Sequence, residues 1–311
     1  MLKRLLLTSL FLLAFILPLK AQEKDSTDIW DDWGNEDNTE CSHHSHDFNF
    51  MGFHNFNGKP TIEATYGNSD IGIKSFGKLS NKGFLNAGSA ELKLSYSSLN
   101  DYDENIVEYK NRFFFVSNNS TDLVKKKDNS QDIKSDLWRF GFGIQNGYGY
   151  KMGRSAVIPY TSNSIVWSRV EWNTPEDGLI PGLSEEDLNR LDLFNNAFRF
   201  GTMSEGGVKL QIVPLFTINA GYERAAIFPR YLVWKQLGSF VIEAAALGAL
   251  DTFVDEIMDS SPAAGPVVNF LLKNGLSYAI YELRREKMSW PFKSAEPLTY
   301  DTWKIGMTFT F

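Results

Sequence analysis

The side chains with most chemistry to offer stand close together. Cys41, His43, His44, His46 and His54 include the only cysteine and all four histidines of the chain. Thiolate, imidazole and carboxylate are the ligands that zinc, copper and nickel take, and Glu36, Asp37, Glu40 and Asp47 lie beside them. The spacing matches no closed zinc-finger or ribbon pattern, so weak, unselective binding of divalent metal is the chemistry expected here. A solvated tail with incidental histidines is the plainer reading, and pH sensing a third. Beyond His54 there is no histidine, so neither a Ser-His-Asp nor a Cys-His arrangement can be built in the rest of the chain. A Ser-Lys pair or paired carboxylates stay open, but no spacing marks one, and Gly149 and Gly153 do not form a phosphate-cradling loop. The expectation is no enzyme and no dedicated cofactor. A single cysteine also rules out an intramolecular disulfide.

The elements around these residues begin with a leader. Lys3 and Arg4 precede an apolar run from Leu5 to Leu19, and Lys20-Ala21-Gln22 offers a cleavage point, so residues 1–21 read as a secretory signal peptide. Removing them takes away Lys3, Arg4 and Lys20 and leaves 28 basic side chains against 38 acidic ones. A strongly acidic balance makes nucleic acid an unsuitable partner. Residues 22–47 form an acidic, histidine-bearing arm with nine acids against Lys24, too poor in apolar side chains to offset its ordering entropy. Trp30 and Trp33 in that arm could dock a partner or rest on a membrane interface.

From residue 48 the pattern turns to strands. The last twelve residues show it best: Trp303, Ile305, Met307, Phe309 and Phe311 share one parity, and Thr302, Lys304, Gly306, Thr308 and Thr310 the other. The same period of two runs through 60–67, 70–76, 87–98, 105–117, 136–149, 155–168, 206–212 and 215–225, with Pro159 interrupting one strand and obscuring its parity. Helical patterns break in twice. Ser184-Glu-Glu-Asp187 starts a short helix, and Tyr231–Met258 with Pro266–Lys287 reads as a helical hairpin ended by Trp290-Pro291. A transmembrane helix pair is the alternative, set aside because Lys235, Glu243 and Asp251 interrupt the first helix.

An apolar-faced last strand ending in Phe311 resembles the closing strand of bacterial outer-membrane β-barrels, in which Trp303, Phe309 and Phe311 would form the signal read by the barrel insertion machinery. The Lys-Ala-Gln ending of the leader and the Asn-rich loops resemble such proteins of Bacteroidota. Ile227-Phe-Pro-Arg230 and Trp290-Pro-Phe292 resemble the borders of a subfamily with a helical insert before the last strand. The resemblance covers residues 48–311 and implies an all-β, transmembrane antiparallel β-barrel with a helical insert at 229–290. It also implies an outer-membrane location, a periplasmic arm and outer-membrane lipid as a partner.

An even strand number with both termini in the periplasm then calls for an extra strand at Phe48–Phe56, about ten in all. The bounds are eight to twelve; the eight-stranded alternative merges 206–225. In the ten-stranded scheme Gly67-Asn68-Ser69, Lys151–Arg154 and Val213-Pro214 are periplasmic turns. Opposite the parity expected to face lipid stand Glu63, Lys74, Glu91, Lys93, Glu108, Lys110, Arg112, Arg139, Lys209, Glu223 and Lys304. Interleaved signs predict an internal ion-pair network, while the surplus of positive charge leaves room for an anion path. Gly141, Gly143, Gly147 and Gly149 share that inward parity and permit close approach of another element, for which the hairpin, with Glu243 meeting a lumen cation, is the candidate. The functional expectation is a porin-like transport protein plugged or gated by the hairpin. The alternative is a structural or interaction protein with a filled barrel, and an enzyme on lipid or polysaccharide comes last.

Overall fold

Strands with a period of two need a hydrogen-bonded neighbour on each side, and a sheet closed on itself supplies one everywhere. The computed structural model describes residues 58–76, 84–124, 133–173 and 184–311, and in it eight strands form a closed antiparallel barrel. The strands are β1 (Lys59–Gly72), β2 (Ala87–Asp103), β3 (Ile106–Ser120), β4 (Lys134–Met152), β5 (Ser155–Asn173), β6 (Phe198–Val213), β7 (Phe216–Ile227) and β8 (Leu298–Thr310). Each pairs with its sequence neighbours, and β8 closes on β1 with Thr61 opposite Thr310 and Gly72 opposite Thr299. The leader, the acidic arm with its Cys/His cluster, and the expected strand at Phe48–Phe56 lie outside the described residues.

Eight strands, not about ten, correct the expectation, and the reason lies in β1. Gly67-Asn68-Ser69, expected as a turn, continues one strand, paired to Ser89, Gly88 and Ala87 on one side and to Lys304, Trp303 and Thr302 on the other. Gly67 and Ser69 serve the interior instead. A Cβ at Gly67 would lie 2.9 Å from that of Lys304, and Ser69 Oγ lies 2.7 Å from Thr302 Oγ1. The eight-stranded alternative has the right count but the wrong merger: β6 and β7 stay separate around a turn at Val213–Phe216, and 60–67 joins the start of 70–76 instead. Pro159 lies within β5 opposite Val208, while the ladder to β4 lacks pairs between Thr161 and Val157. A residue without an N–H breaks pairing on one side only.

Three short turns, β2–β3, β4–β5 and β6–β7, share one end of the barrel with the start of β1 and the end of β8. Gly153 makes the β4–β5 turn at φ 64°, a left-handed conformation that glycine adopts without penalty. The four long connections leave the strands at the opposite end. There the helix α1 (Glu185–Asp192) starts at Ser184, whose Oγ accepts from the Asp187 N–H at 3.1 Å. Leu191 and Phe194 then pack onto inward-facing Phe113, Phe115, Leu137, Val166, Ile227 and Tyr300, closing that end with an apolar cluster.

The hairpin forms as α2 (Val233–Ser260) and α3 (Gly265–Glu286), close to the expected bounds. Its place does not match the expectation of the lumen or the mouth. Along β5, Tyr160, Ser162 and Ser164 point inward, so Thr161 points out, and Asn274 of α3 donates to Thr161 Oγ1 at 2.8 Å. On β6, Glu205 and Lys209 point inward and Thr202 out; Arg284 Nη1 reaches Thr202 Oγ1 at 3.4 Å. Tyr281 donates to outward-facing Asp301 at 2.5 Å, and at the short-turn end Tyr150 donates to the Ala263 carbonyl at 2.7 Å. The hairpin therefore runs along the outside of the barrel, from the long-loop end to the short-turn end.

Candidate functional site

An eight-stranded barrel is just wide enough for its own side chains, so whatever the inward positions carry must fit together. Four acids and four bases meet there: Glu63, Glu91, Glu205 and Glu223 with Lys93, Arg139, Lys209 and Lys304, all buried. They form one continuous chain of ion pairs. Lys209 Nζ lies 2.5 Å from Glu63, which lies 3.2 Å from Lys93. Lys93 also reaches Glu91 at 3.3 Å and Glu205 at 3.2 Å. Lys304 joins Glu91 and Glu205, each at 2.9 Å, to Glu223 at 2.5 Å, and Arg139 ends the chain at 2.7 Å from Glu223.

Neutral groups satisfy further valences. Thr308 Oγ1 donates to Glu63 at 2.9 Å, Arg139 Nε donates to Ser117 Oγ at 3.0 Å, and the Tyr160 hydroxyl donates to Glu205. The Lys209 ammonium lies 5.3 and 5.5 Å from the ring centres of Tyr160 and Tyr109, and that of Lys93 lies 5.1 Å from Phe113. Glu91, Glu205 and Glu223 bring carboxylate oxygens within 4.8 Å of one another, a spacing that a metal ion could bridge. The Lys304 ammonium contacts all three, and Lys93 on Glu91 and Glu205 with Arg139 on Glu223 completes the balance of charge. A cavity of about 620 Å³ opens at the short-turn end between Lys59, Arg154, Gln211 and Thr310, and reaches inward as far as Lys209 and Tyr109.

Glu63, Glu91, Lys93, Arg139, Lys209, Glu223 and Lys304 are thus brought together as the sequence predicts, and Lys74, Glu108, Lys110, Arg112 and Glu243 are not. Lys74 follows the end of β1 and pairs with Glu286 at 2.6 Å outside the lumen. Glu108, Lys110 and Arg112 face outward because β3 has the reverse parity: Val107, Tyr109, Phe113 and Phe115 are its buried residues. The cause is the row of glycines on β4. Val107, Tyr109, Phe113 and Phe115 pair with Gly149, Gly147, Gly143 and Gly141. A Cβ at Gly143 would come 2.7 Å from the Phe113 ring, and one at Gly141 2.9 Å from that of Phe115. The missing side chains make room for aromatic rings of the neighbouring strand, not for the hairpin. Glu243 lies on α2 and pairs with Arg284 of α3 at 2.6 Å.

With those five removed and Glu205 added, four bases meet four acids, and the positive surplus that suggested an anion path is gone. Sequence reasoning also missed Glu205 and Tyr160. Stepping back by twos from Lys209 finds Glu205, but Gly206-Gly207 hides where the strand begins. Pro159 obscures the parity that points Tyr160 inward. Trp303, Phe309 and Phe311 face outward and are exposed, and the Phe311 N–H donates to the Pro60 carbonyl at 3.0 Å.

No protein-family model matches the chain, and no curated protein matches it. Among solved structures it is similar to Neisserial surface protein A, at 10% identity and a TM-score of 0.36, over 81% of this chain and 97% of that one. Ail, the attachment invasion locus protein of Yersinia pestis, is similar at 10% identity and 0.34, over 82% and 99%. The outer membrane protein OprG from Pseudomonas aeruginosa is similar at 12% and 0.29, over 82% and 96%. Likeness at that level carries no argument about what this chain does.

Proposed function

We propose that the chain is an integral outer-membrane β-barrel with a closed interior, serving as a structural or interaction protein rather than as a conduit. Membrane insertion is supported by the inverted distribution of polarity. Ile62, Tyr66, Leu92, Leu94, Trp138 and Ile305 stand exposed on the outside while eight charged side chains are buried within. No aqueous fold gains from that exchange, and a bilayer rewards it. The short-turn end, with both ends of the barrel sheet, faces the periplasm in this reading, and the long connections face outward. Trp303, Phe309 and Phe311 offer the insertion machinery its last strand.

The observation that carries the closed interior is the charge-neutral chain of ion pairs, sealed at the long-loop end by the apolar cluster around Phe113, Phe115, Leu191 and Phe194. A selective pore needs one dominant sign along an open path, and the balanced pairing offers neither. Planar-bilayer conductance of the refolded mature chain, beside a variant lacking residues 231–287, tests the reading. Silence in both is expected, with heat-modifiable gel migration confirming folded barrels. Current in the deletion variant alone would restore the plugged pore, and steps in the full chain would make it a channel.

A further inference from the structure

The outer wall is not uniformly apolar. Where β5 to β8 pass under the hairpin, outward positions carry Thr161, Thr202, Ser204, Gly206, Arg224 and Asp301. Hydroxyls, a carboxyl and a guanidinium aimed at acyl chains would each need a partner, since hydrocarbon offers none. The hairpin provides them for Thr161, Thr202, Asp301 and Arg224. Asn274 bonds Thr161, Arg284 approaches Thr202, Tyr281 bonds Asp301, and the Arg224 guanidinium lies 5.4 Å from the Tyr278 ring centre. Gly206 makes the close fit feasible, because a Cβ there would collide with the Asn274 side chain.

The far side of the hairpin has the opposite character. Val241, Ile242, Phe253, Val267 and Leu271 are exposed, and α2 is apolar nearly all round. Two of its charges are matched across to α3, Glu243 to Arg284 at 2.6 Å and Asp251 to Lys273 at 2.7 Å. At 28 and 22 residues the two helices measure about 42 and about 33 Å, against a hydrocarbon core of about 30 Å. Tyr231, Trp234 and Lys235 mark the long-loop end of the hairpin, and Asp255, Glu256 and Asp259 its tip, as residues at a water interface would.

We propose that α2 and α3 are a transmembrane helical hairpin, lying in the same hydrocarbon layer as the barrel. Its polar face seals the polar sector of the wall and its apolar face meets lipid acyl chains. The inference rests on the membrane reading of the barrel, and the test keeps the two apart. In a Cys41→Ser background, single variants Val241→Cys, Leu271→Cys, Ile305→Cys and Asp259→Cys are spin-labelled in phospholipid vesicles. Collision with oxygen is then compared with collision with a water-soluble nickel chelate.

Oxygen-accessible, nickel-protected labels at 241, 271 and 305, with nickel access at 259, are expected. Nickel access at 241 and 271 with 305 protected would overturn the hairpin proposal and leave the barrel in the membrane. Nickel access at 305 as well would overturn both. Protection of 241 and 271 from both quenchers, with 305 open to oxygen, would assign that face to protein and overturn its contact with acyl chains.

Discussion

On β8, β1 and β2 the outer wall presents Ile305, Met307, Ile62, Tyr66, Leu92 and Leu94, all exposed; on β5, β6 and β7 it presents Thr161, Thr202, Ser204, Gly206 and Arg224, under α3. Both sectors belong to one sheet and enclose one interior. A strand position therefore takes its chemistry from what covers it. Bare positions face whatever surrounds the protein, and covered ones face a helix that brings hydrogen-bond partners. The hairpin is as inverted as the barrel, polar toward the wall and apolar away from it.

The contrast can be broken from inside, at the interior both sectors share. Lys304→Met removes the cation that joins Glu91, Glu205 and Glu223, leaving like charges packed together. Breaking such a buried set is expected to cost about 3–5 kcal/mol or to prevent folding, read from urea unfolding followed by heat-modifiable migration. A loss below about 1 kcal/mol would mean that the ion pairs do not hold the interior together.

Next in size is a comparison between the two sectors. Gly206→Leu should lever α3 off the wall and cost about 1–3 kcal/mol, because its side chain needs the space of Asn274. Ala64→Leu, on the bare and exposed face of β1, should stay within about 0.5 kcal/mol. Equal effects at the two sites would erase the distinction between the sectors.

Within the hairpin, a double-mutant cycle on Glu243 and Arg284 should give a coupling of about 1–2 kcal/mol, since Arg284 is buried and Glu243 nearly so. Zero coupling would say that packing alone joins the helices. The smallest effect belongs to Lys110→Ala. Lys110 is half-exposed on the outside beside Glu108, and its loss should change stability by less than about 0.5 kcal/mol. A loss as large as that of Lys304→Met would restore the lumen assignment of β3.

Local chemistry by itself determined a great deal. Alternation at period two located all eight strands of the barrel, helical patterning and its stop signals located both helices of the hairpin, and Ser184 marked the start of α1. Seven of the eight interior charges were legible because bulky apolar residues occupied the opposite parity of their strands. Tertiary structure alone decided the rest. Gly67-Asn68-Ser69 reads as a turn until its place beside Lys304 and Thr302 is known, and that one segment changes the strand count. Parity says which residues share a face but not which face is inside, so β3 could be oriented only by the glycines opposite it on β4. An apolar hairpin seeks apolar surroundings, and sequence does not say whether these lie within the barrel or around it. The ion-pair chain and the apolar cluster already satisfied the inward side chains, and the polar sector of the wall held the partners that α3 needed.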